Sequence, residues 1–214
     1  MTSSQTRDEL VAAATALYAR QGAGATSIRN VISAAEANLN AVHYYFRGKR
    51  GLTNAVVRSV MDPINAERLE LLSRLGPRPT VRDVIHAAFW PLVRRALDPE
   101  DQATRNGILA VASLRHDPHP DSLAALADNQ ARFAPAFEDV WAAAMGAADR
   151  DELRLGVRMA NATAWGMATA PALRASLAIT DPDAVQRVFG LLVSFVEAGL
   201  QGLLTNSTSR EGGR

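Results

Sequence analysis

The sequence predicts an all-α protein: a small N-terminal helix-turn-helix domain followed by a larger helical domain. Three observations carry that expectation. Apolar residues recur at i, i+3, i+4 and i+7 through most segments, the spacing of helices with a buried face. No segment sustains the period-2 alternation and β-branched enrichment of a strand. Glycine and proline, 14 and 10 of 214 residues, mostly punctuate the helical patterns.

The elements follow in order. A first helix is expected from about Arg7 to Arg20, with Leu10, Ala14, Leu17 and Tyr18 as its apolar stripe and Gly22 and Gly24 closing it. Thr26 or Ser27 caps a second helix, in which Ile28, Val31, Ile32 and Ala35 repeat the stripe. Glu36 and Ala37 form a turn, and Asn38 is an N-cap for a third helix ending near Phe46. Gly48 breaks that helix and a fourth begins near Gly51. Asp62-Pro63 reads as a cap followed by proline at the first helical position, so a new segment is expected from there to about Leu75. Gly76-Pro77-Arg78-Pro79 is a loop. Thr80 caps a helix to Leu97 that Pro91 should kink. Further helices are expected at roughly Glu100–Arg115, Ser122–Met145, Arg150–Leu177 and Pro182–Leu204. The polar, glycine-rich residues 205–214 read as a disordered tail. The expected domains are residues 1–51, 52–204 and the tail 205–214.

Composition narrows the function classes. The hydrophobic share of 48% suits a globular chain. Without cysteine there are no disulfides, thiolate metal sites or cysteine nucleophiles. No uninterrupted apolar run of about 18 residues occurs, and Met1 to Asp8 lacks an apolar signal region. The expectation is a cytoplasmic protein with no membrane partner. No nucleophile–base pair, G-x-S-x-G, phosphate loop or His/Glu helix motif occurs, so neither an enzyme nor a cofactor is expected. His116-Asp117-Pro118-His119-Pro120 and Asp121 have the residue types of a metal site, but two prolines in a polar interhelical loop predict a turn, and no metal is expected.

The net charge of +1 is unevenly spread. Residues 1–58 hold seven basic and three acidic side chains, a balance of +4 that leaves −3 for the rest. A basic head on a mildly acidic body suits a protein whose head alone meets a polyanion.

Thr26 to Lys49 is where that polyanion is expected to bind. Val42 and Phe46, four residues apart, share the face that packs on Ile28, Val31 and Leu17. Asn40 and Tyr44 then point farthest from the core, with Ala41, His43 and Tyr45 on the flanks. An amide can bond adenine bidentately, an alanine can touch a thymine methyl, and a tyrosine hydroxyl can bond a phosphate. Ser27 and the N–H groups opening the second helix can hold another phosphate, and Lys49 is placed for a backbone contact as a mobile point charge. Arg29, Asn38 and Leu39 complete the candidate DNA-binding set, although Leu39 fits the core equally well.

Arg7, Leu10, Ala14, Leu17-Tyr18, Gly22, Thr26-Ser27-Ile28, Ala34-Ala35, Tyr44, Phe46, Lys49 and Leu52 together resemble the N-terminal DNA-binding domain of the TetR family of transcriptional regulators. The resemblance covers residues 7–52, about a fifth of the chain. It implies an all-α homodimer that binds a palindromic double-stranded DNA operator, usually as a repressor, and is released by a small molecule in the C-terminal domain. Departures from the family pattern are Glu36 at a turn position usually held by glycine, Ile32 for an alanine, and His43 where the first tyrosine is common.

The body supplies the remaining candidates. The last helix is apolar around much of its circumference, which argues for burial against its own chain and against a partner. Val188, Leu192, Phe195, Val196 and Gly199 are the expected homodimer interface, and Gly190, Ala198 and Gly202 would allow close approach. This agrees with the four-helix interface the resemblance implies, which would set two reading helices about 34–36 Å apart. His86, Phe89, Trp90, Phe133, Phe137, Trp141, Met145 and Trp165, with Met159 a possible addition, form a candidate pocket for a small apolar effector. Asn65-Ala66-Glu67-Arg68-Leu69 and Trp90-Pro91-Leu92 resemble a TetR subgroup associated with fatty-acid or acyl-thioester metabolism, which implies an effector of that kind. The alternative is a dimeric, all-helical small-molecule-binding protein without DNA affinity, a reading kept open by Glu36 in the turn.

Overall fold

The computed structural model describes residues 3–211 except 39, 147–149, 171–174, 177–178 and 180. Its helices are α1 Ser3–Gln21, α2 Ile28–Ala34, α3 Ala41–Phe46, α4 Lys49–Ser73, α5 Val81–Leu97, α6 Gln102–Leu114, α7 Pro120–Met145, α8 Arg150–Thr169 and α9 Pro182–Glu211. No strand occurs among the described residues, in agreement with the all-α expectation.

Several boundaries differ from the sequence reading. The segment break expected at Pro63 does not occur: α4 runs continuously from Lys49 to Ser73 with Pro63 inside it. Proline removes one helical donor and crowds the carbonyl four residues earlier. Pro63 carries that defect on the exposed side, while Val56, Val57, Met61 and Ile64 are all at most 3% exposed on the inward side. Asp62 is consequently no cap, and pairs with Arg58 at 3.9 Å and Arg132 at 3.2 Å. α6 begins at Gln102, later than expected, because the Asp101 carboxylate accepts the Thr104 N–H at 2.9 Å and caps it. α8 stops at Thr169, where Ala170 N–H bonds the Gly166 carbonyl at 2.9 Å; the expected end at Leu177 lies outside the described residues. α9 continues to Glu211, so residues 205–211 of the expected tail are helical, and residues 212–214 lie outside the described residues.

The chain forms two compact units. The first joins Met1–Pro63 to Asp101–Arg132, and the second joins Ile64–Glu100 to Phe133–Arg214. The expected division after residue 51 separates a DNA-reading segment from the rest. The packed units cut elsewhere, because α6 and the start of α7 belong with the head.

In the first unit the predicted α1 stripe of Leu10, Ala14, Leu17 and Tyr18 is buried, together with Val11. α1 packs along α6, whose Ile108, Val111 and Leu114 are at most 1% exposed. Gly107 lets α6 approach α4, since a Cβ there would lie 2.9 Å from Val60 Cγ2. A buried hydroxyl pair, Tyr18 Oη and Thr53 Oγ1 at 3.0 Å, joins α1 to α4 and satisfies two polar groups that burial would otherwise penalise. Burial pushes the Tyr18 phenol above its ordinary pKa, with the Thr53 bond opposing the shift.

The second unit is built from α5, α8 and α9 packed on one another. Val84, Ile85, Phe89, Val93, Ala164, Val188, Leu192 and Val196 lie in its core. α5 starts in a reciprocal capping box, as Thr80 predicts: Thr80 Oγ1 accepts the Asp83 N–H at 3.2 Å and Asp83 Oδ2 accepts the Thr80 N–H at 3.0 Å. Asp83 Oδ2 also accepts the Thr80 hydroxyl at 2.6 Å, and this bond, with the one from the Thr80 N–H, holds the Asp83 carboxyl below the usual carboxylate range.

Candidate nucleic-acid interface

The head is fixed by how each short helix starts and stops. Thr26 is not the cap of α2; its hydroxyl donates back to the Gly22 carbonyl at 2.8 Å and is buried. Ser27 is the cap. Its Oγ accepts the Asn30 N–H at 3.1 Å, while Asn30 Oδ1 accepts from the Ser27 N–H at 3.0 Å and the Ser27 hydroxyl at 2.6 Å. The Ser27 hydroxyl is therefore engaged within the chain, and an arriving phosphate would compete with Asn30 for it.

α2 ends in a Schellman motif. Ala37 N–H bonds the Ile32 carbonyl at 3.0 Å, Glu36 N–H bonds the Ser33 carbonyl at 3.3 Å, and Glu36 sits between them at φ 49°. This left-handed position is where the sequence shows glutamate in place of glycine. The turn forms with glutamate in it, at a steric cost that glycine would avoid.

Asn38 opens the next turn. Its Oδ1 accepts the Asn40 N–H at 2.9 Å and its carbonyl accepts the Ala41 N–H at 2.9 Å, so it does the capping although the regular helix starts at Ala41. α3 closes on Arg47, also left-handed at φ 59°, followed by Gly48 at φ 119°. The junction into α4 leaves no room: a Cβ on Gly51 would lie 1.8 Å from the Phe46 carbonyl oxygen. Glycine is obligatory there.

Between these stops α3 has two distinct faces. Val42 and Phe46 are buried, as predicted, and would stabilise the head by about 1.5–3 kcal/mol each. Asn40, His43 and Tyr44 are exposed, Tyr44 at 78%. Tyr45 is half-buried and stands edge-on to Tyr44 at 4.8 Å. Ser27, Arg29 and Asn38 are also exposed. Two members of the predicted set are placed differently. Ala41 is turned inward at 9% exposure, because it lies one residue before Val42 at the crowded helix start, and its methyl is not offered to a groove. Lys49 is not a mobile charge: its Nζ donates to the Ala23 carbonyl at 3.0 Å and ties the loop after α1 to the start of α4. Leu39 lies outside the described residues.

Exposed cations that the motif reading passed over follow α3 in sequence. Arg47 is exposed at the exit of α3, and Arg50 is exposed one turn on, 3.7 Å from Asp128. The uneven charge of residues 1–58 was the signal that pointed to them. Arg7 lies over the Phe46 ring at 5.5 Å and braces α3 from behind. The His116–Pro120 loop belongs to the same unit and is a self-bonded turn, as its prolines predict. Asp117 accepts from the Ser122 hydroxyl at 2.7 Å and the His119 N–H at 3.1 Å. Burial raises the Asp117 pKa, but these bonds, together with His119 and Lys49, hold it below the carboxylate range.

The expected effector residues belong to the second unit, and most of them pack as core. Phe89, Trp141 and Met145 are at most 4% exposed within it, with Trp90 and Phe137 partly buried against them. His86 stacks on Trp90 at 5.8 Å, and both rings meet Phe189, at 5.5 and 5.0 Å. Phe189 escaped the sequence reading because it sits in an apolar run. Burial lowers the His86 pKa and nearby Asp83 opposes the shift. Trp165 is buried and Phe133 half-buried, outside this cluster. Met159 does not join it, being 62% exposed. A groove of about 870 Å³ lies elsewhere, in the first unit, between Val11 and Thr15 of α1, Arg58 and Asp62 of α4, and Asn106 of α6.

The predicted dimer residues divide sharply. Val188, Leu192 and Val196 are buried in their own unit at 6%, 1% and 4% exposure, so they cannot also form an outer face. Phe195 is 70% exposed and Gly199 is open. The outward apolar row is Leu191, Phe195 and Gly199 on α9, with Leu155 and Met159 on α8. Each row advances by four residues, the spacing of one helix face.

Residues 10–56 match the family of bacterial regulatory proteins called the tetR family. A curated relative, a probable HTH-type transcriptional regulator YttP from Bacillus subtilis (strain 168), is 25% identical over 84 residues; the match spans 39% of this chain and 41% of the relative. Two solved structures share the fold. NalD, described as the secondary repressor of the MexAB-OprM multidrug efflux pump in Pseudomonas aeruginosa, has TM-score 0.63 at 18% identity, covering 92% of this chain and 96% of NalD. SmeT in complex with triclosan has TM-score 0.61 at 20% identity, covering 90% of each chain.

Proposed function

We propose that this chain, whose residues 10–56 belong to the tetR family of bacterial regulatory proteins, is a homodimeric DNA-binding repressor released by a small effector. The observation that carries the reading is α3. One face of a six-residue helix is locked into the core by Val42 and Phe46, and the other presents Asn40, His43 and Tyr44 to solvent. A rigid helix with amide, imidazole and phenol groups in one row is suited to base edges and phosphates of a major groove. Arg29, Arg47 and Arg50 supply exposed positive charge around it for the phosphate backbone.

Dimerisation is supported by the exposed apolar side chains of Leu191 and Phe195 on α9 and of Leu155 and Met159 on α8. Each of the four is more than half exposed, and a second copy related by two-fold symmetry would remove such groups from water. Effector response is supported by the aromatic layer of α5, α7 and α9 around Phe89, Trp90, Trp141 and Phe189, which an apolar molecule could part. α4 runs from one unit into the other without a break, so displacement of its second half would be felt in its first and would reset the spacing of two paired heads.

Selection of bound sequences from random DNA with the purified full chain tests the reading. A two-fold symmetric site is expected, with half-sites about one or more helical turns apart and affinity falling steeply with salt. A chain that enriches no palindrome but still dimerises and takes up an apolar molecule would be a binding protein without DNA affinity.

A further inference from the structure

We infer that Asp128 is a built-in brake on DNA binding: it occupies Arg50, a cation at the start of α4 that would otherwise meet a backbone phosphate. The inference rests on the DNA-binding reading above and names a residue that sets the strength of that binding. Asp128 lies on α7, in the part of that helix that belongs to the first unit. Its Oδ2 stands 3.7 Å from Arg50 Nη2 and accepts from Asn54 Nδ2 at 3.4 Å. Arg50 and Asn54 are one turn apart on α4, so both side chains converge on the same carboxylate oxygen.

The fold thus returns an acid to the basic head. Asp128 comes from the mildly acidic remainder of the chain, 74 residues beyond Asn54 in sequence. Of the exposed arginines Arg29, Arg47 and Arg50, only Arg50 is paired with a described carboxylate. Its pair is solvated, with side chains 62% and 55% exposed, and it is longer than a hydrogen bond. Such pairs contribute little, so a phosphate can displace the carboxylate.

That exchange is weaker than uptake of a phosphate by a free arginine. The existing pair is given up first, and a carboxylate held by Asn54 stays beside Arg50. From there it repels the incoming phosphate, within the Debye length of about 10 Å in ordinary salt. Counterion release gives the brake a signature. An arginine already neutralised by Asp128 releases fewer counterions from DNA than a free one, so the brake flattens the salt dependence as well as lowering the affinity.

The test titrates the full chain with a labelled duplex of mixed sequence at several salt concentrations, so no operator is needed. Asp128→Asn keeps the shape of the side chain and an acceptor for Asn54. It should bind about two- to fivefold more tightly at low salt. Its slope of log affinity against log salt should be steeper by up to about 0.9. Asp128→Glu should behave as the parent. Arg50→Gln should bind more weakly than the parent, and adding Asp128→Asn to it should recover little. Melting temperatures should hold throughout, and Asp128→Ser carries the same expectation if Asp128→Asn does not fold. Unchanged affinity and slope on removing the acid would overturn the inference. Weaker binding would overturn it too, by making Asp128 the residue that aims Arg50 at the phosphate. An equal gain in the Arg50→Gln background would also sink it, by showing that the acid acts as background charge. A parent that binds no duplex removes the DNA-binding reading together with the inference, whereas a binding parent with an indifferent Asp128 removes the inference alone.

Discussion

α3 and α9 are both helices with one face inside and one outside, yet they present opposite chemistry. α3 is six residues long and offers Asn40, His43 and Tyr44; α9 is 30 residues long and offers Leu191, Phe195 and open glycine. Polar groups on a short helix held by stops at both ends can read a partner by hydrogen bonds at little ordering cost. Apolar groups on a long helix gain only when a matching surface removes them from water. The first arrangement suits a groove that the protein enters and leaves, the second a lasting contact between copies.

The firmest way to break the contrast is at the stop that sets α3 against α4. Gly51→Ala would place a methyl 1.8 Å from the Phe46 carbonyl oxygen, which is backbone and cannot swing away. We expect a loss of about 4 kcal/mol or more in denaturant unfolding, or a head that does not fold. Gly199→Ala on α9 meets open space and should leave the unfolding free energy of the isolated chain within about 0.5 kcal/mol. Equal behaviour of the two would mean that the head is not fixed at this junction.

Next in size is the division of α9 between inside and outside. Val196→Glu buries a charge among Val193, Leu192 and Leu200 and should cost about 3–5 kcal/mol. Phe195→Glu, one residue earlier, should leave each chain folded and shift sedimentation from dimer to monomer. A dimer that persists after Phe195→Glu and Leu191→Glu together would move the interface off this face.

These neighbours also show what was legible in the sequence. α3 alternates polar and apolar residues at helical spacing, so its phase could be read, and the buried pair and the outward set fell where expected. Ala41 and Lys49 are placed differently from the expectation. Ala41 is small enough to suit either side, and the fate of Lys49 depends on the Ala23 carbonyl, 26 residues away in sequence. In α9 nearly every position is apolar, so periodicity cannot say which residues face inward, and Val188, Leu192 and Val196 were assigned to the wrong side. Pro63 was misread for a related reason. Local rules treat proline as a start, but burial of the turns on both sides kept α4 continuous. The Tyr18–Thr53 pair leaves no local signature, since it depends on what lies across a packed interior, 35 residues away in sequence.

Smaller effects should appear on the reading face. Asn40→Ala and Tyr44→Phe remove groups that stand exposed to solvent, so melting temperature should hold. Each is expected to weaken operator binding by about 1–3 kcal/mol, between several-fold and a hundredfold, in a titration at fixed salt. Undiminished affinity in both would show that α3 does not enter the groove.

The smallest expected effect concerns the turn. Glu36 holds φ 49°, a region where an L side chain meets the following carbonyl. The Schellman bonds from Ala37 and Glu36 to Ile32 and Ser33 compensate for it. Glu36→Gly removes the steric cost but frees the unfolded backbone, and the two effects partly cancel. A net gain of roughly 0.5–1 kcal/mol is expected in chemical unfolding. Removing a negative charge between α2 and α3 should also favour a polyanion, so DNA affinity should rise modestly and only at low salt. A stability loss on Glu36→Gly would mean that the glutamate side chain holds the turn through its own contacts. A salt-independent gain in affinity would mean that the turn, with α3 behind it, had changed shape rather than charge.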